Sequence, residues 1–125
     1  MSFKVFIICT ISTITTISSQ LCLKKGMTQI GAISLDRLSN FLCLMIQVFS
    51  NSFILLGFLI GVISALMWLI VLSKVNLSVA LPISGGIFYI LLVFSSGLFL
   101  KEQITVLHWV GTVVICLGVW MILKG

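Results

Sequence analysis

Few side chains in this 125-residue chain can do chemistry, and several of them share one stripe. Between Thr10 and Gln20, eight of eleven residues are polar, which is unusual inside an otherwise apolar stretch. At about 100° per residue, Thr13, Thr16, Gln20 and Lys24 fall within roughly a quarter-turn of a helix. A glutamine in apolar surroundings needs partners for about four hydrogen bonds. Gln20 with Lys24 therefore reads as the lining of a polar pathway. Lys25 lies beside it, and the paired ammonium groups suit an anion. The remaining hydroxyls, Ser12, Thr15, Ser18 and Ser19, read as the small polar groups that hold membrane helices together.

Other candidates lie further along. Ala80-Leu81-Pro82-Ile83-Ser84-Gly85-Gly86 combines a missing backbone donor at Pro82 with two residues lacking side-chain bulk. That combination predicts a kink, a hinge at Pro82, Gly85 and Gly86 with Ser84 facing a substrate path. Broken helices at membrane depth commonly border a cavity. His108 stands near Glu102, and both are candidates for contact with a head group. Asp36 and Glu102 are the two acids of the chain, and both fall in or beside predicted loops. No carboxylate lies inside an apolar run, so the usual residue for proton coupling in a membrane is absent. No phosphate-binding glycine loop and no nucleophile–base pair is visible, so catalysis is not expected.

Positioning these groups requires membrane helices. The chain is 61% hydrophobic and 7% charged, with mean hydropathy +1.38, whereas soluble domains are about a quarter charged. Four runs are long enough for a hydrocarbon core that takes about 20 helical residues. They cover approximately 3–23, 52–72, 77–100 and 104–123. Lys24-Lys25-Gly26 is expected to end the first. Residues 1–22 superficially resemble a secretory leader, but the apolar character fills a complete span and no clean cleavage site follows. The expected fold is an all-α membrane protein, a single domain of four transmembrane helices in an antiparallel bundle.

The connection at about 38–51 differs from the other, short loops. Leu38, Phe41, Leu42, Met45, Val48 and Phe49 recur at helical spacing, with Asn40, Gln47, Ser50 and Asn51 opposite. This pattern predicts an amphipathic helix in the interface plane. A second span beginning near Leu38 is the alternative, and it would submerge Gln47, Ser50 and Asn51 in hydrocarbon. Gly57 and Gly61 form a GxxxG, and Gly111 and Gly118 lie two turns apart. Both pairs are expected to permit close helix packing. Trp68, Trp109 and Trp120 are read as interfacial anchors.

Charge and cysteine usage narrow the partners. The net charge of +5 is spread over helix ends, a pattern suited to lipid head groups and not to nucleic acid, which needs a clustered basic face. Lys4, Lys74 and Lys124 oppose Lys24, Lys25, Arg37 and Lys101 across the membrane, nearly a tie. The count leaves the orientation open and permits insertion both ways. Cys9, Cys22, Cys43 and Cys116 show no metal-ligand spacing and read as small apolar filler. No metal or cofactor is expected.

Taken together, the motifs resemble the four-span, small multidrug resistance-like form of the drug/metabolite transporter superfamily. W-x3-L-S-K-V-x-L-S-x-A-x-P (68–82) and L-K-E followed by H-W-x-G-x6-G (100–118) are similar to its signatures. Small multidrug exporters carry a glutamate in the first helix, where this chain has Thr16. The closer resemblance is to aminoarabinose–phosphoundecaprenol flippase subunits, whose first helix ends in G-Q-L-C-x-K. Here that reads Ser19-Gln20-Leu21-Cys22-Leu23-Lys24, with serine for the first glycine. The resemblance implies a flippase subunit for a polyprenyl-phosphate-linked sugar in a bacterial inner membrane, working as a homodimer or as a heterodimer with a similar subunit. Lys24 and Lys25 would hold the phosphate, and Thr13, Thr16 and Gln20 the sugar. A small-molecule exporter and an accessory subunit of a glycolipid-modifying complex are the alternatives.

Overall fold

The computed structural model describes residues 3–31 and 39–125. The described residues form α1 (Phe3–Ile30), α2 (Phe41–Phe49), α3 (Ser52–Leu72), α4 (Leu77–Ser95) and α5 (Val106–Lys124), with a π-helical turn, Ser96–Leu100, continuing α4. Among the described residues, four segments are long and apolar enough to cross a membrane: Phe3–Ile30, Ser52–Leu72, Leu77–Leu100 and Val106–Lys124. Asp36, Arg37 and Leu38 lie outside the described residues, and so does the expected start of the amphipathic segment.

The expected end of the first helix is corrected. α1 continues through Lys24, Lys25 and Gly26 to Ile30. Gly31, at φ 91°, is the terminating glycine, and its N–H donates to Met27 O at 3.0 Å. A left-handed residue just past the last turn is a common helix stop. Gly26 instead faces α3, where an added Cβ would lie 2.5 Å from Ile54 Cγ1.

α1 and α3 share a seam of small and hydroxyl residues. Ser12 Oγ donates to Ser64 O (3.3 Å) and Ser64 Oγ donates to Ser12 O (3.0 Å). Thr16 Oγ1 pairs with Ser64 Oγ. Ser19 Oγ donates to Gly57 O at 2.7 Å. A Cβ on Gly57 would lie 2.8 Å from Leu23 Cγ, and one on Gly61 3.1 Å from Ser19 Oγ. Positions rise on α1 as they fall on α3, so this pair of helices runs in opposite directions. The close-packing role expected of Gly57 and Gly61 is realised here. Ser12 and Ser19 do join the two helices, whereas Thr15 and Ser18 only bond back to Ile11 O and Ile14 O of their own helix.

α2 ends at Phe49, so Asn51 is not part of its polar side. Asn51 caps α3, its Oδ1 accepting from Phe53 N–H at 2.9 Å while its amide donates to Gln29 Oε1 at 3.1 Å. Phe49 stacks on Phe58 with ring centroids 5.6 Å apart, which seats α2 on α3. α4 runs without interruption through Pro82. Gly86 faces α5, where its Cβ would meet Val119 Cγ2 at 2.9 Å. By contrast, Gly111 and Gly118 have no described neighbour within 4 Å of a built Cβ. The close approach expected there has no partner among the described residues.

Burial ranks the helices. In α1, 33% of the most apolar window is buried inside the protein, against 6% in α5. α1 is the central element because it presents one face to α3 and another to α4.

Candidate functional site

The second face of α1 borders two cavities. The larger, about 600 Å³, lies between α1, the end of α4 and the start of α5, and Gln20, Lys24, Glu102 and His108 all line it. The smaller, about 430 Å³, lies between α1, α3 and α4, and Thr13, Thr16, Gln20 and Ser84 line it. Gln20 is common to both. The predicted stripe on α1 is thus divided between two chambers, with the glutamine at their shared edge.

Lys24 and Lys25 part company because both lie within a continuing helix, where neighbours point about 100° apart. Lys24 Nζ is 3.5 Å from Glu102 Oε1. Lys25 Nζ instead sits 5.1 Å from the ring centroid of Phe53, on the α3 side. Lys25 is therefore not brought to the cavity, and its expected place beside Lys24 is corrected.

Backbone geometry after α4 brings Glu102 to Lys24. The π-helical turn over Ser96–Leu100 ends at Lys101, whose φ of 52° is left-handed. For a residue with a Cβ that conformation costs about 1–2 kcal/mol. It redirects the chain so that Glu102 N–H donates to Ser96 O at 3.4 Å. π-Bulges recur at functional sites. Lys24 and Glu102 are 59% and 47% exposed, so their ion pair contributes at most about 1 kcal/mol and is readily exchanged for another anion.

His108 is fixed by the start of α5. Thr105 N–H donates to His108 Nδ1 at 3.3 Å, and Thr105 Oγ1 lies 2.6 Å from the same nitrogen. Nδ1 thus serves as an acceptor in a capping box, and the network assigns the ring proton to Nε2. Apolar side chains including Leu21, Leu92, Val93 and Ile115 line the remainder of this cavity. Gly111 lines it too, so its missing side chain opens volume. The cavity can accept a molecule with a charged end and a long apolar body.

No family model, curated protein or solved structure matches this chain. The geometry of the cavities therefore carries the functional reading.

Several lining residues escaped the sequence reading. Tyr89, Ser96 and Thr112 border the larger cavity. Ser64, Trp68 and Phe88 border the smaller, so Trp68 is more than the anchor expected of it. Ser64 left a signal, being a hydroxyl in the middle of an apolar span and on the same helical face as Gly57 and Gly61. Phe88 and Tyr89 left none, since aromatic residues in a span usually meet lipid or other helices.

Proposed function

We propose that this protein is a flippase subunit that moves a polyprenyl-phosphate-linked sugar between the leaflets of a bacterial inner membrane. The observation that carries this reading is the meeting of Gln20, Lys24, Glu102 and His108 at one cavity whose other walls are largely apolar. The physical problem of such a substrate is its head group. An isolated anion costs tens of kcal/mol in a medium of low dielectric, while its hydrocarbon tail is stable in lipid. Lys24 supplies the charge for the phosphate once Glu102 is displaced, and Gln20 hydrogen-bonds the adjoining sugar. The apolar walls accept the first isoprene units.

The four spans form an antiparallel bundle in this reading, with α2 lying in the membrane interface. Pro82, Gly85 and Gly86 supply the compliance in α4 by which access alternates between faces. Two features support a dimer, either of this chain or with a similar four-span subunit. The near-tie in basic residues permits insertion both ways, and α5 leaves Val113, Val114 and Leu117 more than half exposed.

The test is reconstitution into vesicles with a labelled polyprenyl-phosphate sugar. Head groups should change leaflet faster than in protein-free vesicles. Lys24→Ala and Gln20→Ala should slow that exchange by at least about tenfold, the effect of losing roughly 1.4 kcal/mol. Exchange at the empty-vesicle rate, or variants that match the wild type, would refute the assignment.

A further inference from the structure

The 430 Å³ cavity is lined by hydroxyl residues whose protons are already committed. Each hydroxyl has one proton to donate and two lone pairs to offer. Thr13 Oγ1 donates to Cys9 O at 2.8 Å, and Thr16 Oγ1 to Ser12 O at 2.9 Å. Ser19 Oγ donates to Gly57 O at 2.7 Å, and Ser64 Oγ shares its one proton between Ser12 O, at 3.0 Å, and Thr16 Oγ1. Ser12 Oγ reaches Ser64 O at 3.3 Å. Because the Thr13 proton is spent on Cys9, the 3.4 Å contact between Ser84 Oγ and Thr13 Oγ1 has Ser84 as donor. A cavity that looks amphoteric by composition therefore presents acceptors. Its side-chain donors besides the hydroxyls are the amide of Gln20, at the edge shared with the larger cavity, and the indole N–H of Trp68.

This asymmetry selects ligand chemistry. An anion finds no free hydroxyl proton here and is repelled by the lone pairs, so a phosphate stays in the larger cavity with Lys24. A bare cation finds only neutral oxygens. No lining side chain is charged, and the volume far exceeds that of an ion. A polyhydroxylated ring fits both constraints. Its hydroxyls donate to the lone pairs of Thr16, Ser64 and Ser84, and its apolar C–H face meets Trp68 and Phe88, which line the same cavity. Pockets of about 300–1,000 Å³ are typical for small ligands held in this way.

We infer that the smaller cavity is a sugar-ring subsite that recognises hydrogen-bond donors and excludes anions, so that the head group is divided at Gln20, its ring beside α3 and α4 and its phosphate at Lys24. The inference rests on the reading of the ligand as a phosphate-linked sugar, and the experiment separates the two.

The protein in lipid nanodiscs is titrated with farnesyl phosphate and with farnesyl phosphate bearing a pentose on its phosphate. The wild type should bind the sugar-bearing lipid about tenfold more tightly, corresponding to one or two net hydrogen bonds. Thr13→Val with Ser84→Ala should reduce that ratio to about threefold or less without weakening farnesyl phosphate. Ser84→Thr, which keeps the hydroxyl, should preserve the ratio. If the double variant fails to fold, Ser84→Ala alone should lower the ratio two- to threefold. In a Trp109→Phe/Trp120→Phe background, methyl pentoside should perturb Trp68 fluorescence, whereas sodium chloride should not. Equal binding of the two lipids by the wild type, or an unchanged ratio in the variants, overturns the subsite. A response of Trp68 to sodium without one to the pentoside overturns it in favour of a cation site. A pentoside response without any binding of farnesyl phosphate keeps the subsite and removes the flippase reading.

Discussion

Lys24 Nζ and Glu102 Oε1 face each other across 3.5 Å, joining the C-terminal part of α1 to the turn that follows α4. The carboxylate occupies the position that an anionic ligand would take. Glu102→Gln removes that competitor while keeping shape and hydrogen bonding. It should tighten binding of a polyprenyl phosphate by up to about fivefold, the scale of a half-exposed ion pair. Titration in nanodiscs measures this, and salt should narrow the difference between variant and wild type. Weaker binding in Glu102→Gln would show that the acid contacts the ligand favourably.

Glycines at two kinds of position should respond oppositely. A Cβ at Gly57 would stand 2.9 Å from Leu23 Cδ2 and 3.1 Å from Ser19 O, and backbone cannot retreat easily. Gly57→Ala should therefore cost about 1–3 kcal/mol, as overpacking does, and lower the melting temperature in detergent. Gly111 has open space around it. Gly111→Leu should leave that temperature nearly unchanged yet fill the larger cavity and slow leaflet exchange.

Ser64 holds α3 to α1 through its bond to Ser12 O and its contact with Thr16. Ser64→Ala should destabilise the protein by about 0.6–1.7 kcal/mol, the range for hydrogen bonds between membrane helices. Reversible unfolding in mixed micelles would measure it. Ser18→Ala is the control, because Ser18 bonds only within α1 and is exposed.

Lys101 carries the left-handed φ of 52° between the π-helical turn and Glu102. Lys101→Gly should raise stability by about 1 kcal/mol by relieving that conformation, read as a higher melting temperature. The lysine side chain plays no other part in this expectation. Lys101→Ala should therefore not reproduce the gain.

The sequence is a good guide to this fold where local signals decide. The bounds of α3 follow from an apolar run between Asn51 and Ser73, and the third span reaches Leu100 as expected. The end of α1 is less legible, because Gly26 and Gly31 are equally plausible stops until Ile54 is known to pack on Gly26. The same helix end decides Lys25, which is paired with Lys24 only if the helix stops before it. In the site, the Thr13–Thr16–Gln20–Lys24 stripe is visible by periodicity alone. Its division into two chambers is not, since it depends on α3 covering one part and α5 the other. Glu102 and Lys24 meet through a π-helical turn and a left-handed lysine, neither of which has a sequence signature. Gly111 and Gly118 illustrate the reverse case, a sound spacing that no helix among the described residues meets.

The hydroxyls of α1 also bear on how the chain enters a bilayer. Thr10, Thr13, Thr15, Thr16 and Ser18 each donate to the carbonyl four residues earlier. α1 leaves the ribosome before α3, so these groups satisfy themselves while no neighbour exists to do so. Ser12 and Ser19, which donate to carbonyls of α3, must wait for it. A nascent segment this polar can thus be handed to lipid early with Ser12, Ser19 and the Gln20 amide still unanswered, and the arrival of α3 supplies the two serines.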